Sequence, residues 1–266
     1  HPMQRRLAFE ELLGHNLSLL KLRDLAREKG APELKGDGSL STQFLEQLPF
    51  PLTGAQQRVC REVAQDMSQG SPMLRLVQGD VGSGKTVVAA MAALQAVESG
   101  FQAAVMAPTE ILAEQHHINF TQWLEPLGIK VAWLAGKVKG KAREKQLELI
   151  RSGEARIVVG THALFQEEVV FAHLGLAVID EQHRFGVAQR ARLWKKNKIP
   201  PHILVMTATP IPRTLAMTFY GDLDVSVIDE LPAGRKPVLT VHRYDSKRIT
   251  VFDFVRKQIN EGRQVY

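Results

Sequence analysis

Six short apolar runs, separated by longer segments of helical periodicity, constrain the fold of this chain more than any other feature. The runs begin at residue 73 and read MLRLVQ, QAAVMA, KVAWLA, RIVVG, LGLAVID and HILVMT. Strands that alternate with helices form parallel sheets, and strands that are apolar throughout are typical of sheets covered on both faces. The pattern therefore predicts an α/β fold in which a mostly parallel sheet is sandwiched by helices.

The two ends of the chain depart from this alternation. The first 47 residues have apolar side chains at helical spacing and no strand-like run, so we expect a helical segment that packs on a neighbour. The segment ELPAGRKP (230–237) is punctuated by proline and glycine and predicts a linker. The strand-like VLTVHRY (238–244) and the final RQVY flank a helix-like stretch and predict the truncated start of a second domain. We divide the chain into a helical segment (1–47), an α/β lobe (48–235) and a linker with the start of a second lobe (236–266).

A glycine-rich segment, GDVGSGKT (79–86), follows the first apolar run and precedes a helix-like stretch. This is the context in which the P-loop motif binds phosphate. Its glycines allow several backbone N–H groups to point at one phosphate, and the following helix N-terminus adds partial positive charge. In such a loop the lysine reaches the β- and γ-phosphates and the threonine hydroxyl faces Mg²⁺. The sequence therefore predicts a site for a nucleoside triphosphate and Mg²⁺, formed by Gly79, Gly82, Ser83, Gly84, Lys85 and Thr86.

Two adjacent carboxylates, Asp180 and Glu181, end the apolar run LGLAVID. Carboxylates gathered at the end of a buried strand need a positive partner. A magnesium–triphosphate supplies one: Asp180 would hold Mg²⁺, directly or through water, and Glu181 would polarise the attacking water. Lys85 and Glu181 are thus the candidate catalytic residues. An acidic pair that simply starts a helix is the alternative.

Basic residues are unevenly distributed in a chain whose net charge is +6. The segment 184–198 carries six basic residues and no acid, and KVKGKAREK (137–145) carries five against one glutamate. Such clusters indicate an anionic partner, nucleic acid first, although a solvated helix face is an equal alternative. The single Cys60 and the absence of a leader or a membrane-length apolar run lead us to expect a cytoplasmic protein without a membrane partner.

Several further segments occur in the order found in the superfamily 2 helicases, and the chain resembles that family. LTGAQ (52–56) is similar to the adenine-reading Q motif, and APTEILAEQ (107–115) to motif Ia. VGTHAL (159–164) resembles a segment that grips the nucleic-acid backbone, DEQH (180–183) motif II, and TATP (207–210) motif III.

The chain is most similar, within that superfamily, to the bacterial RecG-type branched-DNA translocases. The resemblance is dense over residues 48–220, through segments such as LPFPLTGAQ, LAGKVKGKAR, IDEQHRFGVAQR and MTATPIPRTLAMT. The transcription-coupled repair translocase shares many of these motifs and is the nearest alternative. The resemblance implies the first RecA-like lobe of an ATP-dependent DNA helicase that acts on branched DNA in repair and recombination, at the bacterial nucleoid.

The resemblance also implies roles for individual residues beyond the P-loop. It implies that Gln56 and Phe50 contact adenine, although Thr53 and Gln56 also fit a helix-capping box and Phe50 fits a core position. It implies backbone contacts to DNA by Thr109, Lys137 and Thr161, and coupling between ATP and DNA by His183, Thr207 and Thr209. Helix capping is the alternative for the threonines, and His116 and His117 are expected at the surface of a helix.

Two features of the family are not found in this sequence. The second lobe supplies an arginine finger, whose usual carrier, Q-x-x-G-R-x-G-R, is absent, and the fork-recognising wedge domain is absent as well. We therefore expect the chain alone to bind ATP–Mg²⁺ weakly and to hydrolyse it very slowly. A nucleotide-gated binding module without motor activity is the alternative from a different functional class.

Overall fold

The computed structural model describes residues 2–28, 30–180, 199–209, 223–230 and 238–266. Within these ranges the strands are β1 (Leu74–Gly79), β2 (Gln102–Met106), β3 (Val131–Leu134), β4 (Ile157–Gly160), β5 (Leu174–Asp180), β6 (His202–Thr207) and β7 (Asp224–Ile228). The helices are α1 (Pro2–Arg27), α2 (Ser39–Gln47), α3 (Gly54–Met67), α4 (Lys85–Glu98), α5 (Glu110–Leu124), α6 (Gly140–Arg151) and α7 (Arg248–Asn260). Short 3₁₀ turns span Glu125–Leu127, His162–Phe165 and Asp245–Lys247.

All the strands of the described residues join one parallel sheet, in the order β3-β4-β2-β5-β6-β1-β7. Each of the six apolar runs forms a strand, so the predicted α/β fold is confirmed. The edge strand β7 was not predicted. Its sequence, DVSVI, alternates between buried and more exposed positions, as expected where only one face of a strand is covered. Because the strands are parallel, all their carboxyl ends lie at one edge of the sheet.

Alternate residues of the strands enter two apolar layers, one on each face of the sheet. In β5, Leu176 and Val178 belong to the layer that contains the buried residues of α3 and α4. Ala177 and Ile179 belong to the opposite layer, with Ile150 of α6. By the same alternation, Asp180 at the end of β5 projects toward the face covered by α3 and α4.

Residues 30–47, which the sequence places in the segment before the lobe, pack directly on it. The backbone N–H of Leu34 donates to the carbonyl of Met67, and the side chains of Leu34 and Phe44 are completely or almost completely buried. Glu98, at the end of α4, accepts hydrogen bonds from the backbone N–H groups of Leu40 and Ser41. A carboxylate at this position stabilises the first turn of α2, where the N-cap residue, Gly38, has no side chain to accept these hydrogen bonds.

His202, the first residue of β6, joins its strand to two other segments at the amino-terminal edge of the sheet. Its Nδ1 accepts from the backbone N–H of Met73 at 3.0 Å, so the ring proton resides on Nε2, which lies 2.7 Å from the carbonyl oxygen of Pro32. The side chain is fully buried, and this burial lowers the pKa of the imidazole. The ring is therefore held in the neutral form.

Acidification is expected to destabilise the lobe through His202. The pKa of a histidine in the unfolded chain is about 6.5, and the pKa of His202 in the folded chain is lower. Between the two values the unfolded state binds more protons, so the free energy of unfolding falls as pH falls from about 6.5 toward the folded pKa. Urea unfolding at several pH values would measure this slope. His202→Gln can keep both hydrogen bonds but cannot titrate, so its free energy of unfolding should depend less steeply on pH. The same pH dependence in the variant and the wild type would contradict the prediction.

The chain divides into two compact units, His1–Ala233 and Gly234–Tyr266. In the second unit, α7 exposes Ile249, Phe252 and Phe254. No strand forms at 238–244 or 263–266, contrary to the sequence prediction, because neither described segment pairs with another strand. Among the described helices, none combines the length and the apolar character needed to cross a bilayer.

Candidate functional site

The P-loop connects β1 to α4 and follows a path that only glycine permits. Gly82 and Gly84 adopt φ values of 79° and 91°, in the left-handed region. A Cβ atom at Gly84 would lie 2.2 Å from Gln56 Nε2, and one at Gly79 would lie 2.5 Å from Ser83 Oγ. The loop is thus tightly wound and closely packed, and α4 begins immediately after it, at Lys85.

Ser83 places an unsatisfied hydroxyl inside this loop. The residue is 1% exposed, and its Oγ has no hydrogen-bond partner within the described part of the chain. A buried hydroxyl without a partner is unfavourable, and a phosphate oxygen would accept its hydrogen bond. The loop therefore fits a phosphate group.

The ammonium group of Lys85 lies against the same loop. Its Nζ donates to the carbonyl oxygens of Gly79 and Asp80, at 2.7 and 3.0 Å. The residue is largely buried, so its charge is only weakly screened by solvent. This arrangement places a positive charge against the P-loop backbone. Contact of Lys85 with the β- and γ-phosphates stays a prediction. Thr86 follows in the first turn of α4 and is half-buried.

Gln56 uses its side-chain amide within the protein. With Thr53 it forms a complete capping box at the start of α3, and its Oε1 accepts from the backbone N–H of Thr53 at 2.9 Å. Its Nε2 donates to the carbonyl oxygen of Ser83 at 2.8 Å. The capping box that the sequence offered as an alternative is thus confirmed, and the Gln56 amide also holds the P-loop through its hydrogen bond to Ser83. Phe50 is 44% exposed, so the alternative of a core position is wrong for this side chain. Adenine recognition by Gln56 and by Phe50 stays a prediction.

Asp180 lies at the carboxyl end of β5, and β6 is the strand that separates β5 from β1. It is opposite Met206 of β6, which is in turn opposite Val77 of β1. Neighbouring strands are about 4.8 Å apart, so the backbones of β5 and β1 are separated by about 10 Å. The P-loop and Asp180 therefore share one edge and one face of the sheet. Glu181 lies outside the described residues.

His116 of α5 contacts Asp180, and the sequence does not predict this contact. Its Nε2 is 2.6 Å from Asp180 Oδ2, and the expectation of a surface position is wrong because the side chain is buried. The buried residues of α5 are Ala113, His116, Phe120 and Leu124. His116 fits the apolar stripe of this helix by its spacing, and that spacing was the available signal.

Thr207 and Thr209, the two described candidates for coupling, lie between the P-loop strand and the Asp180 strand. Thr207 is the last residue of β6 and is buried, and its Oγ1 is 2.8 Å from Thr209 Oγ1. The backbone N–H of Thr209 also donates to Thr207 Oγ1. The third candidate, His183, lies outside the described residues, so its expected contact with these threonines stays a prediction.

The candidate DNA contacts occupy the other part of the same edge. Thr109, Lys137 and Thr161 follow β2, β3 and β4, respectively. Thr109 caps α5, since its Oγ1 accepts from the N–H of Leu112, whereas Thr161 precedes a 3₁₀ turn without a side-chain cap. Lys137 is exposed and pairs with Glu110 at 3.2 Å. These three residues are thus beside the P-loop and Asp180 region along one sheet edge.

The donor set at this edge, a carboxylate and a hydroxyl, fits the oxygen ligands that Mg²⁺ prefers. Among the described residues, no cluster of three or more histidine, cysteine or acidic side chains could hold a metal ion. Mg²⁺ is usually bound through one or two carboxylates together with phosphate oxygens and water. Asp180 and the hydroxyl of Thr86 are donors of this kind, and their binding of Mg²⁺ stays a prediction. A cavity of about 230 Å³, partly lined by Gly79, Asp80 and Ala208, provides open space beside the P-loop.

Cys60 does not contribute chemistry to the site. It lies in α3, and burial raises the pKa of its thiol to about 12. The thiol therefore stays protonated and unreactive near neutral pH.

Comparison with known proteins identifies relatives over the whole chain. The ATP-dependent DNA helicase RecG of Escherichia coli O157:H7 is 60% identical over 100% of this chain, and that of Pasteurella multocida is 58% identical over the same share. The chain spans 39% of the length of each of these relatives. A solved structure of RecG bound to a three-way DNA junction is 44% identical, with a TM-score of 0.86 over 97% of this chain and 35% of that one.

A more distant structure shares the fold alone. The UvsW helicase from bacteriophage T4 is 14% identical, with a TM-score of 0.53 over 74% of this chain and 69% of its own. The resemblance to the RecG type is confirmed by the relatives above, and the family model of the DEAD/DEAH box helicases matches residues 53–218. A P-loop and a strand-ending aspartate at one edge of a parallel sheet are consistent with that match: the chain belongs to the DEAD/DEAH box helicase family.

Proposed function

We propose that this chain is the ATP-binding first lobe of an ATP-dependent DNA helicase that translocates on branched DNA in repair and recombination. The observation that carries the proposal is the shared edge and face of the P-loop and Asp180. The similarity to RecG, one structure of which is bound to a three-way DNA junction, supports branched DNA as the partner. Since the relatives are bacterial, we propose a place in the bacterial cytoplasm, where binding to DNA would bring the protein to the nucleoid.

ATP binding, in this proposal, uses groups that the loop already presents. The backbone N–H groups of the P-loop and the Ser83 hydroxyl bind phosphate oxygens, and Lys85 neutralises the β- and γ-phosphates. Asp180 and Thr86 would hold Mg²⁺, which when bound neutralises phosphate charge and acts as a Lewis acid. Glu181, the next residue in the sequence, orients the attacking water.

DNA binding is assigned to the other part of the same sheet edge. Thr109, Thr161 and Lys137 follow β2, β4 and β3, which are consecutive in the sheet and adjacent to β5. Hydroxyls, backbone N–H groups and a lysine suit contacts with phosphates that do not depend on base sequence. Thr207 and Thr209 lie on the ATP side of this edge and, with His183, are assigned to coupling.

A comparison of ATPase rates tests the proposed function. The chain alone should hydrolyse ATP at least about 10³-fold more slowly than a chain extended through a second RecA-like lobe, because the arginine finger is worth roughly 10³–10⁵ in rate. Forked DNA should raise the rate of ATP hydrolysis of the extended chain but not that of the chain alone. Duplex RNA of the same sequence should raise neither rate. Equal low rates for the two chains would favour a nucleotide-gated binding module, and a fast, DNA-stimulated rate in the chain alone would contradict the need for a second lobe.

A further inference from the structure

His116 is the one described side chain that hydrogen-bonds the carboxylate of Asp180. Its Nε2 lies 2.6 Å from Asp180 Oδ2, and the two side chains are 8% and 11% exposed. A carboxylate oxygen accepts, so the imidazole N–H at Nε2 donates. Because both groups are shielded from water, this hydrogen bond is not exchanged readily for one to solvent.

The other ring nitrogen of His116 is without a partner in the described part of the chain. Nδ1 is buried and makes no hydrogen bond there. An apolar side chain at this position of the α5 stripe, between Ala113 and Phe120, would avoid an unsatisfied polar atom. The presence of histidine is therefore better explained by its bond to Asp180 than by packing.

We propose that His116 is a positioning residue of the nucleotide site. Its Nε2–H holds Asp180 Oδ2, fixes the orientation of the carboxylate on the α4 side of the sheet, and leaves Oδ1 for the divalent cation. The inference rests on the proposed function, in which Asp180 is a ligand of the cation. Partners that orient a metal ligand in this way typically change metal affinity by about 10- to 100-fold when they are removed.

The test measures cation binding directly, with Mn²⁺ as a paramagnetic probe in place of Mg²⁺. The chain is saturated with ADP, and bound Mn²⁺ is counted by electron paramagnetic resonance during a titration. His116→Ala should weaken Mn²⁺ binding by about tenfold. His116→Gln should restore most of the affinity, since its amide nitrogen can reach the position of Nε2 and donate to Asp180.

His117→Ala is the matched control on the same helix. His117 is half-buried and its ring lies 5.1 Å from that of Trp133, so its loss removes packing from α5 without touching Asp180. It should leave Mn²⁺ affinity unchanged. Circular dichroism and thermal unfolding confirm that each variant is folded before the titration.

The possible outcomes separate the inference from the proposed function. Wild-type affinity in folded His116→Ala would overturn the role of His116 while leaving the nucleotide site intact. Equal loss in His116→Ala and His116→Gln would overturn the role of the hydrogen bond. If the wild-type chain with ADP binds no Mn²⁺ at all, the proposed site itself fails, and the inference fails with it.

Discussion

Replacement of Lys85 by alanine is expected to weaken ATP binding by about 100-fold and to abolish detectable hydrolysis. The ammonium group is largely buried and lies 2.7 Å from the carbonyl oxygen of Gly79, inside the loop that would surround the phosphates. Loss of one charged contact in a desolvated site costs about 2–5 kcal/mol, and each 1.4 kcal/mol corresponds to a tenfold change in affinity. Titration of the chain with a fluorescent ATP analogue would measure the effect.

The fold should survive this substitution. Lys85 is the first residue of α4, and alanine is at least as favourable in a helix. Lys141→Ala removes the same charge from an exposed position in α6 and is the control. Similar ATP affinity in the two variants would show that Lys85 does not contact the nucleotide.

Replacement of Asp180 by asparagine is expected to lower the rate of ATP hydrolysis by about 10²–10³-fold. The amide is similar in size and can still accept from His116, so the geometry of the pair is kept, but the negative charge that would hold Mg²⁺ is lost. Metal ions contribute several kcal/mol to the stabilisation of such transition states. The measurement is the Mg²⁺ dependence of ATP hydrolysis by the chain extended through a second lobe.

ATP affinity measured without Mg²⁺ is the first control. Asp180→Asn should bind ATP as tightly as the wild type under these conditions, which would show that its loss of hydrolysis is not caused by unfolding. Asp253→Asn, which alters an exposed carboxylate of α7, serves as the second control. Hydrolysis within tenfold of the wild-type rate in Asp180→Asn would remove this carboxylate from the catalytic site.

The sequence predicted that the P-loop and Asp180 meet at one edge of the sheet, because this placement follows from the order and direction of the strands. The P-loop motif fixes which strand it follows, and a parallel sheet brings the ends of that strand and of LGLAVID to one edge. Helix and strand periodicity were sufficient for the six buried strands. The edge strand β7 escaped detection because Asp224 and Ser226 interrupt its apolar residues, so DVSVI does not form a continuous apolar run.

Side-chain contacts between segments that are distant in the sequence could not be predicted from periodicity or motifs. His116 and Asp180 are 64 residues apart, and only the packing of α5 against the sheet brings them together. The second use of the Gln56 amide, its bond to the carbonyl oxygen of Ser83, likewise depends on how α3 approaches the P-loop. A capping box is a local pattern, whereas this contact joins residues 27 positions apart.

Because residues 30–47 pack on the lobe, a shortened protein needs them to keep the lobe folded. The helicase motifs begin at LTGAQ and invite a cut just before it. Such a cut would expose the surface on which Leu34 and Phe44 pack and would remove the carbonyl of Pro32, which accepts the hydrogen bond of His202. The Glu98 carboxylate would lose the backbone N–H groups at the start of α2 from which it accepts hydrogen bonds. A recombinant lobe that begins near residue 30 should stay soluble, whereas one that begins near residue 50 should aggregate.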